Sequence, residues 1–250
     1  MKKLSVIMPG YNEGQKIRHN LIHTATVLDT IAKKNGAEYE IIFVNDGSTD
    51  DTNQYAFQAA LINENIIVID NKINCGKGNA LKCGTERATG DYIVFLDSDL
   101  DLPPEQIEDF IERMDRLQCD VVIGSKQHPE SRTDYPKSRK VMSYIYYMIL
   151  VVLFRLKTKD TQTGIKLFKS EVIQPVMRQI QVNGYAYDIE VLAIINKLGY
   201  SIADAPVILN YQRESSWGRI KLSQVVRTGM DTLKIFFRVT FLFDREEYSQ

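Results

Sequence analysis

Five short apolar runs separated by helix-like stretches constrain this chain more than any other feature. The runs lie at Leu4–Met8, Glu40–Val44, Ile66–Asp70, Tyr92–Leu96 and Val121–Ile123, and they are rich in Ile and Val, as strands covered on both faces are. Between them apolar residues recur at three- and four-residue spacing. The clearest case follows Pro103-Pro104, where Ile107, Phe110, Ile111, Met114 and Leu117 share one helical face. Proline at that point is a helix-entry signal. Ser48-Thr49-Asp50-Asp51 has the S-x-x-D form that predicts a cap on a helix after the second strand. Strand alternating with helix predicts an α/β fold: a doubly wound, mainly parallel sheet flanked by helices, with ligands gathering at the carboxyl ends of the strands.

Beyond Gly124 the pattern changes. A polar loop is predicted over Gln127–Lys137, an apolar helix near Ser138–Phe154, a helix near Asp188–Leu198, a strand over Ser201–Tyr211, a loop over Gln212–Arg219, and an amphipathic helix over Leu222–Phe243 with aromatic residues near its end. Net charge is −1, yet residues 1–125 carry 12 Lys/Arg against 20 Asp/Glu while residues 126–169 carry 10 against 3. The basic segment brackets an uncharged stretch, Val141–Phe154. That stretch is too short to span ~30 Å of hydrocarbon as a helix and predicts an interfacial or buried one.

The remaining composition is that of an ordinary globular protein of 250 residues, long enough to bury a core without staples. Three cysteines with no CxxC spacing suggest neither a disulfide framework nor a zinc knuckle, and fit a reducing, cytoplasmic setting. The opening MKKLSVIMPGYNE reads as a strand, since its apolar stretch stops at Pro9 and is too short for a signal-peptide core.

Four junctions after strands carry polar constellations. Asp97-Ser98-Asp99-Leu100-Asp101 follows the strand YIVFL; in an extended segment residues two apart face one side, so its carboxylates are expected to converge. A divalent cation, Mg²⁺ or Mn²⁺, would remove their repulsion and bind diphosphate oxygens at the same time. A solvated acidic turn before the Pro103 helix is the plainer alternative. Asn45-Asp46-Gly47-Ser48 offers a carboxylate to a nucleobase or ribose, or is simply a turn with a cap. Pro9-Gly10-Tyr11-Asn12-Glu13 places an aromatic ring and a carboxylate at the same edge, or marks a helix entry. Gly76-Lys77-Gly78 sets a cation between two flexible residues, suited to a phosphate or to a surface turn. Neither GxGxxG nor the Walker loop is present. His19, His23 and His128 lie outside these motifs and read as surface residues.

Taken in order, VIMPGYNE, FVNDGSTDDT, NCGKGNAL and FLDSDLDLPPE resemble the family 2 inverting glycosyltransferases of the GT-A fold. The second half is similar to the dolichyl- or polyprenyl-phosphate sugar synthases, especially the glucosyl branch, through GSK at 124–126, SRKVMSY, DTQTGIKLF and YAYDIE. The resemblance implies one GT-A domain over residues 1–220, with a nucleotide-sugar half at 1–125 and an acceptor half at 126–220, followed by a C-terminal amphipathic helix and tail at 221–250. It implies that Pro9, Tyr11, Glu13, Asp46, Lys77, Asp97, Ser98 and Asp99 hold the donor, that Asp99 and Asp101 bind the metal, and that Lys126, Arg139, Ser143 and Gln162 meet the acceptor. Asp99, Asp101, Lys77 and Asp188 are then the catalytic set. Asp101 stands where many relatives have Gln, Asn45 where many have Asp, and Lys126 where Arg is common; lysine binds phosphate as a point charge rather than bidentately.

The implied reaction moves a hexose from a nucleotide diphosphate sugar, UDP-glucose before GDP-mannose, to a polyprenyl or dolichyl phosphate with inversion. A phosphate acceptor needs no general base, because its second pKa is about 6. A sugar hydroxyl would need one, for which Asp160, Asp188 and Glu190 are the candidates. The basic segment beside an apolar helix, Trp217 and the Phe236, Phe237, Phe241 and Phe243 cluster suggest peripheral contact with the cytoplasmic face of a membrane, or a helix packed on the core. No nucleic-acid partner is expected. Two other readings stand beside this one: a soluble family 2 transferase extending a glycan or cell-wall polymer, and a non-catalytic nucleotide-sugar binder or scaffold.

Overall fold

The computed structural model describes residues 2–132, 147–156, 158, 160–184, 186–209 and 222–242. Within it the strands are β1 (Lys3–Gly10), β2 (Glu38–Asp46), β3 (Ile66–Asn71), β4 (Tyr92–Leu96), β5 (Val121–Ser125), β6 (Ile165–Lys169) and β7 (Ile202–Pro206). The helices are α1 (Lys16–Asn35), α2 (Thr52–Ala60), α3 (Lys77–Arg87), α4 (Gln106–Leu117), α5 (residues 147–154), α6 (Ser170–Gln179), α7 (Tyr187–Leu198) and α8 (Leu222–Phe237). A π-helical turn, Arg238–Leu242, continues α8.

The strands form one seven-stranded sheet in the order β3-β2-β1-β4-β6-β5-β7. Every neighbouring pair is parallel except the two made by β6, which runs antiparallel to β4 and to β5. The doubly wound, mainly parallel α/β expectation therefore holds. The chain winds outward from β1 through β2 to β3, then returns to place β4 on the other side of β1. This reversal makes the carboxyl ends of β1 and β4 a topological switch point, where open α/β sheets collect ligands.

Alternation along the strands supplies two cores. Ile7, Ile42, Val44, Ile93 and Phe95 point to the face covered by α3, α5, α6 and α7, while Val6, Met8, Ile41, Phe43 and Val94 point to the face covered by α1, α2 and α4. Both faces are dry, which is why the strands read as continuous apolar runs. In α4 the predicted stripe buries Ile107, Phe110, Ile111 and Met114, whereas Leu117, at the left-handed Gln118 cap, is half exposed.

The anticipated Ser48 cap does not form. Thr52 at the start of α2 instead donates its N–H to Asp50 Oδ1 at 3.0 Å, and Ser48 Oγ donates to Asn45 Oδ1 while accepting the Asn12 N–H at 3.0 Å. The hydroxyl ties the β1 and β2 turns together. Two elements lie outside the predicted set, β6 and α6, the latter with Pro175 inside it. The predicted apolar helix is seen as α5; its earlier part, residues 138–146, lies outside the described residues, as does Trp217. Among the described residues no helix is long and apolar enough to cross a membrane.

Candidate functional site

The carboxyl edge of the sheet brings the sequence motifs together. Tyr11 and Glu13 follow β1, Asp46 ends β2, the 72–76 loop follows β3, Asp97–Asp101 follows β4 and Lys126 follows β5. Because β6 is antiparallel, its beginning lies on this same edge, so Thr163 and Gly164 join the site. Gly164 accepts the Asp97 N–H at 3.1 Å through its carbonyl. A Cβ there would stand 2.3 Å from Asp97 Oδ2, so the bare backbone leaves room for the carboxylate.

At the centre Lys77 Nζ, carried by the first turn of α3, lies 2.5 Å from Asp97 Oδ1. Burial alone would lower the Lys77 pKa, but the Asp97, Asp188 and Asp99 carboxylates outweigh it and hold the ammonium above its ordinary value. The same ammonium stands 6.0 Å from the Tyr187 ring centroid. The Tyr187 phenol is pushed well above its ordinary value by burial, then by Asp188 and Asp97. Asp188, in the first turn of α7, is paired through Oδ1 with Lys166 Nζ at 2.6 Å; Lys166 also donates to the Thr163 carbonyl at 2.6 Å. The result is an alternating lattice of charges, Lys166, Asp188, Lys77 and Asp97, in which opposite signs are neighbours.

The three acids do not converge as expected. Residues 97–101 form a turn with Leu100 left-handed (φ 55°), not an extended segment. The strand rule that would align alternate side chains does not apply there. Asp97 faces Lys77, while Asp99 Oδ1 accepts the Asp101 backbone N–H at 3.2 Å. Among the described residues no three His, Cys, Asp or Glu side chains are grouped to hold a metal ion by themselves. Asp99 and Asp101 carry the other two carboxylates of this same turn.

The remaining residues expected to hold the donor differ in access. Tyr11 is 46% exposed, Glu13 is half-buried, Pro9 is buried within β1, and Ser98 is buried with its carbonyl accepting from Asn20 of α1 at 2.7 Å. Asp46 is buried and accepts the Cys75 N–H at 3.0 Å and the Gly76 N–H at 2.8 Å, one on each carboxylate oxygen. It thereby ties the end of β2 to the loop leading into α3.

Of the residues expected to meet the acceptor, Lys126 and Gln162 are brought to one place by Asp160, which accepts the Lys126 N–H at 3.1 Å through Oδ2 and the Gln162 N–H at 3.3 Å through Oδ1. Arg139 and Ser143 lie outside the described residues. Glu190, considered as a base, is fully buried and accepts the N–H groups of Gln181 and Val182 and the Arg238 guanidinium. Lys166 is not among the residues that sequence reasoning singles out, since a lysine inside the apolar run IKLF carries no local signal of its partner twenty-two residues away.

With this geometry in hand, the comparisons with known proteins agree. The model of Glycosyl transferase family 2 matches residues 5–177. Dolichyl-phosphate beta-glucosyltransferase ALG5A of Trichomonas vaginalis is 30% identical over 246 residues, covering 94% of this chain and 74% of that protein. The dolichyl-phosphate beta-glucosyltransferase of Saccharomyces cerevisiae is 28% identical, with 93% and 71% covered. Glycosyltransferase AglD of Haloferax volcanii is 28% identical over 82% of this chain, which spans only 32% of that longer protein. Among solved structures, glucosyl-3-phosphoglycerate synthase from Mycobacterium tuberculosis superposes with a TM-score of 0.71 at 19% identity over 98% of this chain and 82% of its own. Mannosyl-3-phosphoglycerate synthase from Rubrobacter xylanophilus does so with a TM-score of 0.69 at 15% identity, over 98% and 78%. These last two establish a GT-A architecture. The chain is a glycosyltransferase and belongs to glycosyl transferase family 2.

Proposed function

We propose that the chain transfers a hexose from a nucleoside diphosphate sugar, UDP-glucose before GDP-mannose, to a polyprenyl or dolichyl phosphate, with inversion at the anomeric carbon. The observation that carries this reading is the Lys77–Asp97 pair at 2.5 Å, set at the switch point with Asp99 on the adjoining turn. There a fixed cation and a carboxylate turn meet at the edge where a diphosphate would lie. The relatives named for dolichyl phosphate match over more than nine-tenths of this chain, which supports the acceptor class.

The residues present fit Mg²⁺ or Mn²⁺ that arrives with the donor. Asp97 is already neutralised by Lys77, and Asp99 is pinned by the Asp101 N–H. A site with one or two carboxylates, completed by phosphate oxygens, is the usual form for such ions. When bound, the cation offsets charge on the departing nucleoside diphosphate. Lys77 adds a preorganised positive charge at that place, and its raised pKa keeps it protonated. Tyr11, exposed at the edge, offers a ring to the base, and Glu13 a carboxylate to a hydroxyl. Asp188, held by Lys166, supplies a fixed negative charge that keeps Lys77 in place. Lys126 and Gln162 mark the acceptor side. The acceptor phosphate is its own nucleophile, so the burial of Glu190 costs the reaction nothing.

Contact with a membrane is part of the same proposal. Helix α5 packs beside α8, with the Phe154 and Phe236 rings 5.9 Å apart. Both helices present apolar residues outward: Ile149 and Val152 from α5, Leu233 and Phe237 from α8, then Phe241 and Leu242. A greasy outward face of this kind suits contact with the lipid part of a polyprenyl phosphate at the cytoplasmic surface of a membrane.

The test is to incubate the purified chain with labelled UDP-glucose, GDP-mannose and other nucleotide sugars, with and without a short polyprenyl phosphate and EDTA, and extract lipid-linked label. Lipid labelling that EDTA stops is the expected result. Transfer only to a water-soluble glycan would replace the lipid acceptor, and nucleotide binding with no transfer to either would overturn the assignment.

A further inference from the structure

The loop between α6 and α7 passes over the start of α3. Its Asn183 carbonyl accepts the Gly78 N–H at 2.9 Å. A Cβ on Gly76 would come within 2.5 Å of that same oxygen, and one on Gly78 within 2.8 Å of the Val182 oxygen and 2.7 Å of the Tyr187 Cβ. The two glycines flanking Lys77 are thus required by the close approach of this strap, and Gly76 also by its φ of 97°, which side-chain-bearing residues rarely adopt. The strap thus rests on the turn that carries Lys77 toward Asp97.

Glu190 holds the strap. Its carboxylate, fully buried, accepts the Val182 N–H at 2.8 Å and the Gln181 N–H at 3.1 Å. Burial pushes its pKa up, against the pull of those bonds and of Arg238. Arg238 arrives from the π-helical turn after α8, donating to Glu190 Oε1 and, at 3.1 Å, to the Gln179 carbonyl. Between the strap and α8 lies a cavity of about 630 Å³ bordered by Gly76, Asn183, Glu190, Asp231 and Arg238. Among the described residues, the guanidinium reaches the strap at the border of this cavity.

We infer that Glu190 and Arg238 are positioning residues for the donor site: the pair fixes the 181–184 strap, the strap fixes the first turn of α3, and that turn aims Lys77. The C-terminal helix then tunes nucleotide affinity without touching the nucleotide. The inference rests on the proposed role of Lys77 toward the donor diphosphate.

The experiment is a double-mutant cycle read by titration calorimetry with UDP and with GDP, each in Mg²⁺, on full-length Arg238→Gln, Lys77→Gln and the double variant. Folding is checked by circular dichroism and thermal melting. Arg238→Gln is expected to weaken nucleotide binding about tenfold, a loss of about 1.4 kcal/mol. The double variant is expected to bind no worse than Lys77→Gln alone, because the two act through one group. Arg238→Lys, which keeps the charge but loses the forked contact, is expected to fall between; it decides the matter in the same cycle if the Gln variant does not fold. Unchanged binding by Arg238→Gln, or an equal loss in both backgrounds, overturns the inference while leaving the donor-site reading intact. Unchanged binding by Lys77→Gln overturns both, and is recognised by that single variant.

Discussion

Lys166 Nζ and Asp188 Oδ1 meet at 2.6 Å in a place where their side chains are only 2% and 7% exposed. A pair this deep depends on both members, since a lone buried charge loses its compensation. Lys166→Met is expected to destabilise the protein by about 3–5 kcal/mol in denaturant unfolding. The double replacement Lys166→Met with Asp188→Leu should recover most of that loss while remaining inactive. Recovery of activity together with stability would remove Asp188 from the catalytic set.

The metal proposal puts the weight on Asp99. Asp99→Ala is expected to lower turnover at least about 10²-fold, the scale of losing one electrostatic group in an active site, without moving the melting temperature. Undiminished, EDTA-sensitive transfer by this variant would place the cation on other ligands.

Acid stability should report on Glu40. Burial opposes its ionisation, but the Lys3 ammonium at 2.8 Å, the Ser5 hydroxyl at 2.6 Å and the Thr89 N–H at 2.7 Å outweigh it and hold the carboxyl below its ordinary value. A folded-state pKa below the unfolded one contributes stability that is complete above the unfolded value of about 4.3 and fades as pH falls through the lower folded value. Glu40→Gln should therefore lose stability at neutral pH and show a shallower decline below pH ~4. Parallel urea-unfolding curves for the two proteins across that range would refute the assignment.

The outward aromatic face makes a separate prediction. Phe237, Phe241 and Leu242 are 59%, 69% and 77% exposed. Phe237→Glu with Phe241→Glu should abolish co-flotation with anionic vesicles while leaving the circular dichroism spectrum as it was. Flotation that persists would assign the face to packing against something other than lipid.

Much of the fold and of the donor edge is legible in the amino-acid sequence. The strand runs, the α4 stripe and the placement of Asp46, Lys77 and Asp97 on one edge follow from local periodicity and from the rule that ligands gather at strand ends. What escapes local reading depends on partners far along the chain. Strand β6 is five residues with a lysine near its start, and nothing local shows that it inserts between β4 and β5 or that Asp188 will neutralise that lysine. The turn at 97–101 escapes because a left-handed Leu100 overrides the extended geometry assumed for the three acids. Glu190 resembles a base because its neighbours in sequence suit a site, whereas Arg238, 48 residues on, turns it inward.

The antiparallel strand also bears on where the molecule can be divided. Strand β4 has β1 on one side and β6 on the other, and β5 pairs with β6 and β7 but with nothing before it. A fragment cut after residue 125 would retain the nucleotide edge yet expose an open row of amides along β4 and strand β5 without any neighbour. Such bare edges recruit other chains. The half proposed to hold the donor is thus completed by later sequence, and the polypeptide must be synthesised beyond Lys169 before its central sheet can close.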